Sequence, residues 1–194
     1  MRKMLIKMKL LGVLVTGICS FNVKASSKSS WIYFDLGDTV INTKAKTGFK
    51  YFDGTKEYIE RLKDRGYKVG IISNIPEQFG MDYDEKLKTL KEYIAKNWTD
   101  DKDFDWTQFD EVFLPLNNSE LKPADILYMK AMERADYCPM AYVSENIVEV
   151  EKASSMGIAG HLFVDSTSDG YVAVDEIDDF LETHYTNSIP ENCL

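Results

Sequence analysis

Residues 31–43 read WIYFDLGDTVINT: four bulky apolar or aromatic residues, then Asp35, Leu36, Gly37, Asp38 and Thr39. So short and apolar a run, closed by turn-forming residues, predicts a buried β-strand. Asp35 follows it directly, so a carboxylate stands where the chain leaves the core. Gly37 is read as the residue that lets the backbone turn sharply there.

Four more runs share this form: KVGIIS (68–73), EVFLPL (111–116), AYVS (141–144) and HLFV (161–164). Helical patterns lie between and after them. GTKEYIERLKDRG (54–66) puts Tyr58, Ile59 and Leu62 on one stripe, and DEKLKTLKEYIAKNW (84–98) does so with Leu87, Leu90, Tyr93 and Ile94. PADILYMKAMERA (123–135) opens with Pro123 at a favoured first helical position, IVEVEKASSMG (147–157) stops at Gly157, and VDEIDDFLETHY (174–185) supplies a last helix. Strands alternating with helices predict an α/β fold: a three-layer α/β/α, Rossmann-like domain around a parallel sheet of about five strands. Ligands of such sheets bind beyond the carboxyl ends of the strands, which is where Asp35 falls. No internal repeat, low-complexity segment or linker divides the chain.

At the N-terminus, MRKMLIKMK is basic, LLGVLVTGICSF is apolar, and Val23-Lys24-Ala25 offers a small-residue cleavage pattern. The apolar stretch, about twelve residues, is shorter than the roughly 18 that span a bilayer, so residues 1–25 read as a signal peptide. One domain over 26–194 is expected, about 169 residues, exported to a periplasm or the medium. An uncleaved anchor is the competing reading; a lipid on Cys19 is disfavoured by the bulk of Ile18 before it. Cleavage removes Arg2, Lys3, Lys7, Lys9 and Lys24 and no acid, taking 23 basic residues to 18 against 32 acidic ones, a formal charge of −14. Such a surface repels nucleic acid and anionic membranes. Cys138 and Cys193 remain, either as free thiols or as a disulfide closing about 55 residues, worth on the order of 4 kcal/mol by loop entropy.

Four stretches carry the chemistry: FDLGDTV (34–40), IISN (71–74), LKPAD (121–125) and VSENIVEV (143–150). Taken singly, each has an ordinary reading. Asp35 serves as a strand-end turn residue as readily as a nucleophile, Ser73 as a strand end, and Lys122 as a surface charge. Glu145 and Glu149, four residues apart at a strand end and helix start, read either as an acidic helix N-terminus or as ligands for a hard cation. His161 and His184 are too few and scattered for a zinc site.

In this order, the four stretches resemble the haloacid dehalogenase superfamily of Asp-nucleophile phosphohydrolases. EKASSMGI (151–158) resembles the family's helix after its acidic fourth motif, and the likeness runs through nearly all of 26–194. It implies that Asp35 attacks phosphorus to form an aspartyl phosphate, which water then hydrolyses. Ser73, Asn74 and Lys122 would hold the phosphate. The family's cofactor is Mg2+, for which the resemblance implies Asp35, the Gly37 carbonyl and Glu145 as ligands, with Glu149 in support. The substrate class would be small phosphomonoesters.

Three features depart from the family pattern. Active members usually carry a second aspartate two residues after the nucleophile, where this chain has Gly37; Asp38 is the only nearby acid to replace it as proton carrier. Such a group contributes about 10²- to 10⁴-fold, so its loss favours substrates with good leaving groups. Glu145 stands where Asp is common, lengthening the arm by roughly 1.5 Å, one carbon–carbon bond. About 30 residues between the first two motifs leave no room for a large lid. The aromatics Trp98, Phe104, Trp106 and Phe109 form either a small flap or, more simply, packing on the core. A binding protein that has lost fast chemistry, and a metal-independent 2-haloacid dehalogenase, are the alternative readings.

Overall fold

The 31–34 run is the middle strand of the sheet. A computed structural model describes residues 30–165, 170–185 and 193; the expected signal segment, 1–25, lies outside them. In chain order the strands are β1 (Trp31–Phe34), β2 (Ile41–Asn42), β3 (Lys50–Tyr51), β4 (Lys68–Ile72), β5 (Glu111–Phe113), β6 (Met140–Ser144) and β7 (Ala159–Leu162). The helices are α1 (Thr55–Asp64), α2 (Tyr83–Asn97), α3 (Asp125–Arg134), α4 (Ile147–Ser155) and α5 (Ile177–Tyr185). Five strands form one sheet in the order β5-β4-β1-β6-β7, and every pairing in it is parallel. The chain builds outward from β1 through β4 to β5, then returns to the other side of β1 with β6 and β7. The order therefore reverses between β1 and β6, where the loops diverge and leave a crevice.

Burial on both faces explains why β1 is apolar at every position. Ile32 and Phe34 join one core with Val69, Ile71, Ala141 and Val143, covered by Ile59 and Leu62 of α1, Leu90 and Ile94 of α2 and Leu181 of α5. Trp31 and Tyr33 point the other way, into a second core with Tyr142, Leu127 and Tyr128 of α3 and Ala153 of α4. Tyr33 stacks on Trp31 at 5.1 Å, and a side chain at Gly70 on the neighbouring strand would collide with its ring. Gly157, at φ 84, ends α4 as expected. No described helix is long and apolar enough to cross a membrane.

Several expectations shift. The last strand runs over 159–162 rather than 161–164, because the chain turns back at Gly157 and Ile158 is already fully buried. Pro123 is not the first residue of a helix. It lies in a turn closed by the Ala124 N–H on the Leu121 carbonyl (2.9 Å), its peptide bond to Lys122 is cis, and α3 begins at Asp125. The buried stripe of α2 is Lys86, Leu90 and Ile94; Tyr93 is exposed at 46%, its ring meeting the edges of Phe49 and Phe79. Lys86 enters the interior because the Glu77 carbonyl accepts from its ammonium (3.2 Å).

The aromatic segment packs inward. Phe104 stacks on Tyr51 and on Phe109, and Trp98 and Trp106 meet its edges. The interval before β4 holds only the two-stranded β2–β3 sheet and α1. Cys138, just ahead of β6, is disulfide-bonded to Cys193, 55 residues away.

Candidate active site

Asp35 continues β1 by one residue: its N–H donates to the Val143 carbonyl of β6 (2.8 Å), which fixes the backbone under the carboxylate. The following loop is pinned by Leu36 and Val40, both buried, and by the Leu36 carbonyl, which accepts from the N–H groups of Val40 (3.1 Å) and Ile41 (2.9 Å). The sharp turn falls at Asp38, φ 55, and not at Gly37, whose φ is not in the left-handed region. An aspartate tolerates that region because its short side chain bonds locally. Here the Asp38 carboxylate accepts from the Thr43 N–H (3.1 Å) and hydroxyl (2.7 Å) and pairs with Lys44 (2.7 Å). Burial pushes the Asp38 carboxyl up, but the bonds from Lys44 and Thr43 outweigh that and hold it below the usual range. A Cβ at Gly37 would meet only Thr43 Cγ2, at 3.8 Å, so a larger residue has room.

Lys122 occupies the centre of the crevice with a fully buried side chain. Its ammonium donates to Asp35 Oδ1 (2.6 Å), Glu149 Oε2 (2.7 Å) and the Tyr142 hydroxyl (2.7 Å), one bond for each N–H. Its backbone is clasped by Asn74, whose amide donates to the Lys122 carbonyl (3.0 Å) and accepts from its N–H (2.7 Å). The Asn74 side chain thus holds the lysine. Ser73 is buried at the end of β4, its N–H on the Phe113 carbonyl (3.1 Å) and its hydroxyl in only a long contact with the Asn74 carbonyl (3.4 Å).

The acids after β6 are held from below. Glu149 Oε2 accepts from Lys122, from Tyr142 Oη (2.6 Å) and from Ser144 Oγ (3.2 Å). Among the described residues nothing donates to its other oxygen. Glu145 is tied to buried Thr39, whose hydroxyl donates to Oε2 (2.8 Å) and accepts from the Glu145 N–H (3.0 Å). Ser144 Oγ lies between the two glutamates, 3.4 Å from Glu145 Oε2. One network therefore joins Asp35, Lys122, Glu149, Ser144, Glu145 and Thr39. Asn146 caps α4, accepting from the Val148 N–H (3.1 Å).

Burial pushes the Asp35 carboxyl up to about 7; Lys122 opposes the shift, while the charges of Glu149 and Glu145 add to it. Burial, reinforced by Asp35 and Glu149, raises the Tyr142 phenol far above its ordinary value, so it remains a donor. Asp35 and Glu149 thus share the one ammonium of Lys122 while Glu145 joins them through Ser144, an excess of negative charge at the network that suits a hard divalent cation. Asp35 and Glu145 offer oxygens, and among the described residues no hydrogen bond occupies the Gly37 carbonyl. No three His, Cys, Asp or Glu side chains among the described residues form a metal cage by themselves. Magnesium, which keeps several waters, needs none. Thr39, Tyr142 and Ser144 complete the site without having been singled out in the sequence. The signal for Tyr142 is its type: the hydroxyl of a tyrosine inside a buried strand usually finds a partner, although that of Tyr33 on β1 has none among the described residues.

A recess of about 280 Å³ opens beside this network, lined by Asp38, Asn42, Lys44, Phe52, Glu145, Phe163 and Asp165. A larger cleft, about 990 Å³, runs past Tyr58, Arg61, His161 and Tyr171 and holds none of the motif residues. The smaller recess is the one that adjoins the charged centre.

No protein-family model matches the chain, and no curated protein sequence does. Solved structures give a distant likeness. The D,D-heptose 1,7-bisphosphate phosphatase of B. bronchiseptica, complexed with magnesium and phosphate, is 16% identical, with 84% of this chain and 89% of that one covered and a TM-score of 0.49. A mutant HAD-family enzyme of Bacteroides thetaiotaomicron, in complex with magnesium and inorganic phosphate, is 13% identical over 73% and 97% of the two chains, TM-score 0.46. The D,D-heptose 1,7-bisphosphate phosphatase of Burkholderia thailandensis is 17% identical over 84% and 88%, TM-score 0.41. Likeness this slight assigns no chemistry, which rests on the residues themselves.

Proposed function

We propose that the chain is an exported, magnesium-dependent phosphatase of the haloacid dehalogenase type, acting on small phosphomonoesters through an aspartyl phosphate on Asp35. The observation that carries the reading is the joint hold of one buried lysine on Asp35 and Glu149 beside the carboxyl ends of β1 and β6. Asp35, the Gly37 carbonyl and Glu145 would hold magnesium, with Glu149 behind them; bound there, the ion neutralises charge on the phosphoryl oxygens.

The protein's own residues do the rest. Asp35, fixed at the strand end, attacks phosphorus in line with the leaving oxygen; the O–P bond to Asp35 forms as the bond to the leaving oxygen breaks, and that group departs as its anion, an aryloxide or a carboxylate. Water then attacks the phosphoryl group, regenerating the carboxylate and releasing inorganic phosphate. Lys122 holds the nucleophile's orientation and balances its charge, and Ser73, at the next strand end, supplies a hydroxyl to the phosphate. Asn74 acts through the Lys122 backbone, which its side chain already clasps. Asp38 locks the turn; its ties to Lys44 and Thr43 make it a poor proton carrier. Without an acid at position 37, substrates whose leaving group needs no proton, acyl and aryl phosphates, are preferred. The 280 Å³ recess beside Glu145, with Phe52 and Phe163 in its lining, suits a small leaving group. The disulfide suits the oxidising surroundings of an exported protein.

The test is phosphate release from an aryl phosphate by the wild type and Asp35→Asn, with magnesium and with a chelator. Release that needs both Asp35 and magnesium supports the reading. Tight phosphate binding with no release assigns the crevice to a binding protein.

A further inference from the structure

Tyr142 belongs to none of the four motif positions, yet its hydroxyl touches two of the residues that the proposed reaction depends on. It accepts from Lys122 Nζ at 2.7 Å and donates to Glu149 Oε2 at 2.6 Å. The side chain is fully buried in the second core, its ring edge-to-face with Tyr128 at 5.3 Å. We propose that Tyr142 is a positioning residue: it completes a tripod of acceptors that fixes the Lys122 ammonium against Asp35 while orienting Glu149.

The chemistry of the three feet explains the choice of residue. An ammonium has three N–H donors and no acceptor. Asp35 and Glu149 take two of them, and each brings a negative charge. A third carboxylate would deepen the charge excess, and an apolar residue would leave one N–H without a partner in the core, at a desolvation cost. A phenol is neutral, reaches from the middle of a strand, and passes its own proton on to Glu149. Strand alternation supplies the geometry: Tyr142 and Ser144 lie two residues apart on β6, so both hydroxyls rise on the face where α4 carries Glu149. Three donors then converge on Oε2, which fixes that end of the carboxylate.

This inference rests on the phosphatase reading for its catalytic consequence, but not for its geometry, so two measurements separate them. The first is the side-chain ammonium resonance of Lys122 in 15N NMR. Held on three partners and shielded from water, it exchanges slowly in the wild type; Tyr142→Phe, which removes only the hydroxyl, exposes it to fast exchange. Tyr33→Phe is the control, because it removes a buried hydroxyl from the same core, one that has no hydrogen-bond partner among the described residues. The second is turnover of an aryl phosphate with magnesium: kcat of Tyr142→Phe falls roughly 10-fold or more with KM little changed, as for other residues that orient a ligating group, while Tyr33→Phe keeps wild-type values.

A protected Lys122 signal that Tyr142→Phe abolishes supports the tripod even if no phosphate is released, in which case only the phosphatase reading falls. A wild type with no protected Lys122 ammonium overturns the tripod, whether or not the variant folds. So does a Tyr142→Phe protein that matches Tyr33→Phe in the signal and in kcat.

Discussion

Asp35 Oδ1 and Glu149 Oε2 lie on the same ammonium, 2.6 and 2.7 Å from Lys122 Nζ, although 114 positions separate the two acids in the chain. The cation between them is more deeply buried than either, so neither acid is replaceable without consequence for the other. Removing one member of a buried ionic set leaves the rest uncompensated, which costs about 3–5 kcal/mol. Lys122→Met is therefore expected to lose about that much stability in urea denaturation at neutral pH, and with it the phosphatase activity proposed above. An equally stable Lys122→Met would mean that the pairing does not hold the crevice together.

The raised Asp35 carboxyl sets a stability profile for the metal-free protein. Its folded value, about 7, lies above the ordinary 3.8, so between those values the folded chain holds a proton that the unfolded chain has released. Stability from this group is then full below about pH 4, falls as pH rises towards 7, and is flat above. Subtracting the pH profile of Asp35→Asn from that of the wild type isolates the term. A difference that instead grows with pH would show an Asp35 whose pairing with Lys122 outweighs its burial.

Much of this fold is legible in the chain because burial and chain direction leave local marks. Four apolar residues followed by Asp35 announce a strand buried on both faces, and Gly157 stops α4 where a glycine should. Asp35, Lys122 and Glu149 are named together only through the family resemblance that the ordered motifs carry, since each alone has an ordinary reading. What stays hidden is decided by tertiary contact. Thr39 finds Glu145 across 106 residues and Tyr142 finds Lys122 across 20, and neither pairing has a periodicity to betray it. Asp38 takes the turn expected of Gly37 because the Thr43 and Lys44 partners that stabilise a left-handed aspartate appear only once the loop closes. Lys86 shows the same limit: an apolar stripe is counted from side chains, but a carbonyl at the right depth admits a lysine.

Restoring an acid at position 37 is a gain-of-function test. The Cβ of Gly37→Asp meets nothing closer than Thr43 Cγ2 at 3.8 Å. If that position serves the leaving group, Gly37→Asp raises turnover of alkyl phosphates by about 10²-fold, with a smaller gain on aryl phosphates. Equal gains on both, or none, would place the missing proton elsewhere.

Thr39 anchors Glu145 through both its side chain and its N–H. Thr39→Val keeps the shape and removes the hydroxyl, which frees the glutamate to move. Magnesium affinity measured by calorimetry is expected to weaken roughly 10- to 100-fold, with Asp35 still intact. Unchanged affinity would remove Glu145 from the cation's ligands.

Trapping the phosphoenzyme reaches the central claim most directly. The wild type is mixed with magnesium and an aryl phosphate, quenched in acid, digested and weighed by mass spectrometry. The account predicts a phosphoryl group on the peptide carrying Asp35, absent from Asp35→Asn and from chelator-treated protein. Turnover with the label on another residue, or an Asp35→Asn protein that releases phosphate as fast as the wild type, would contradict it.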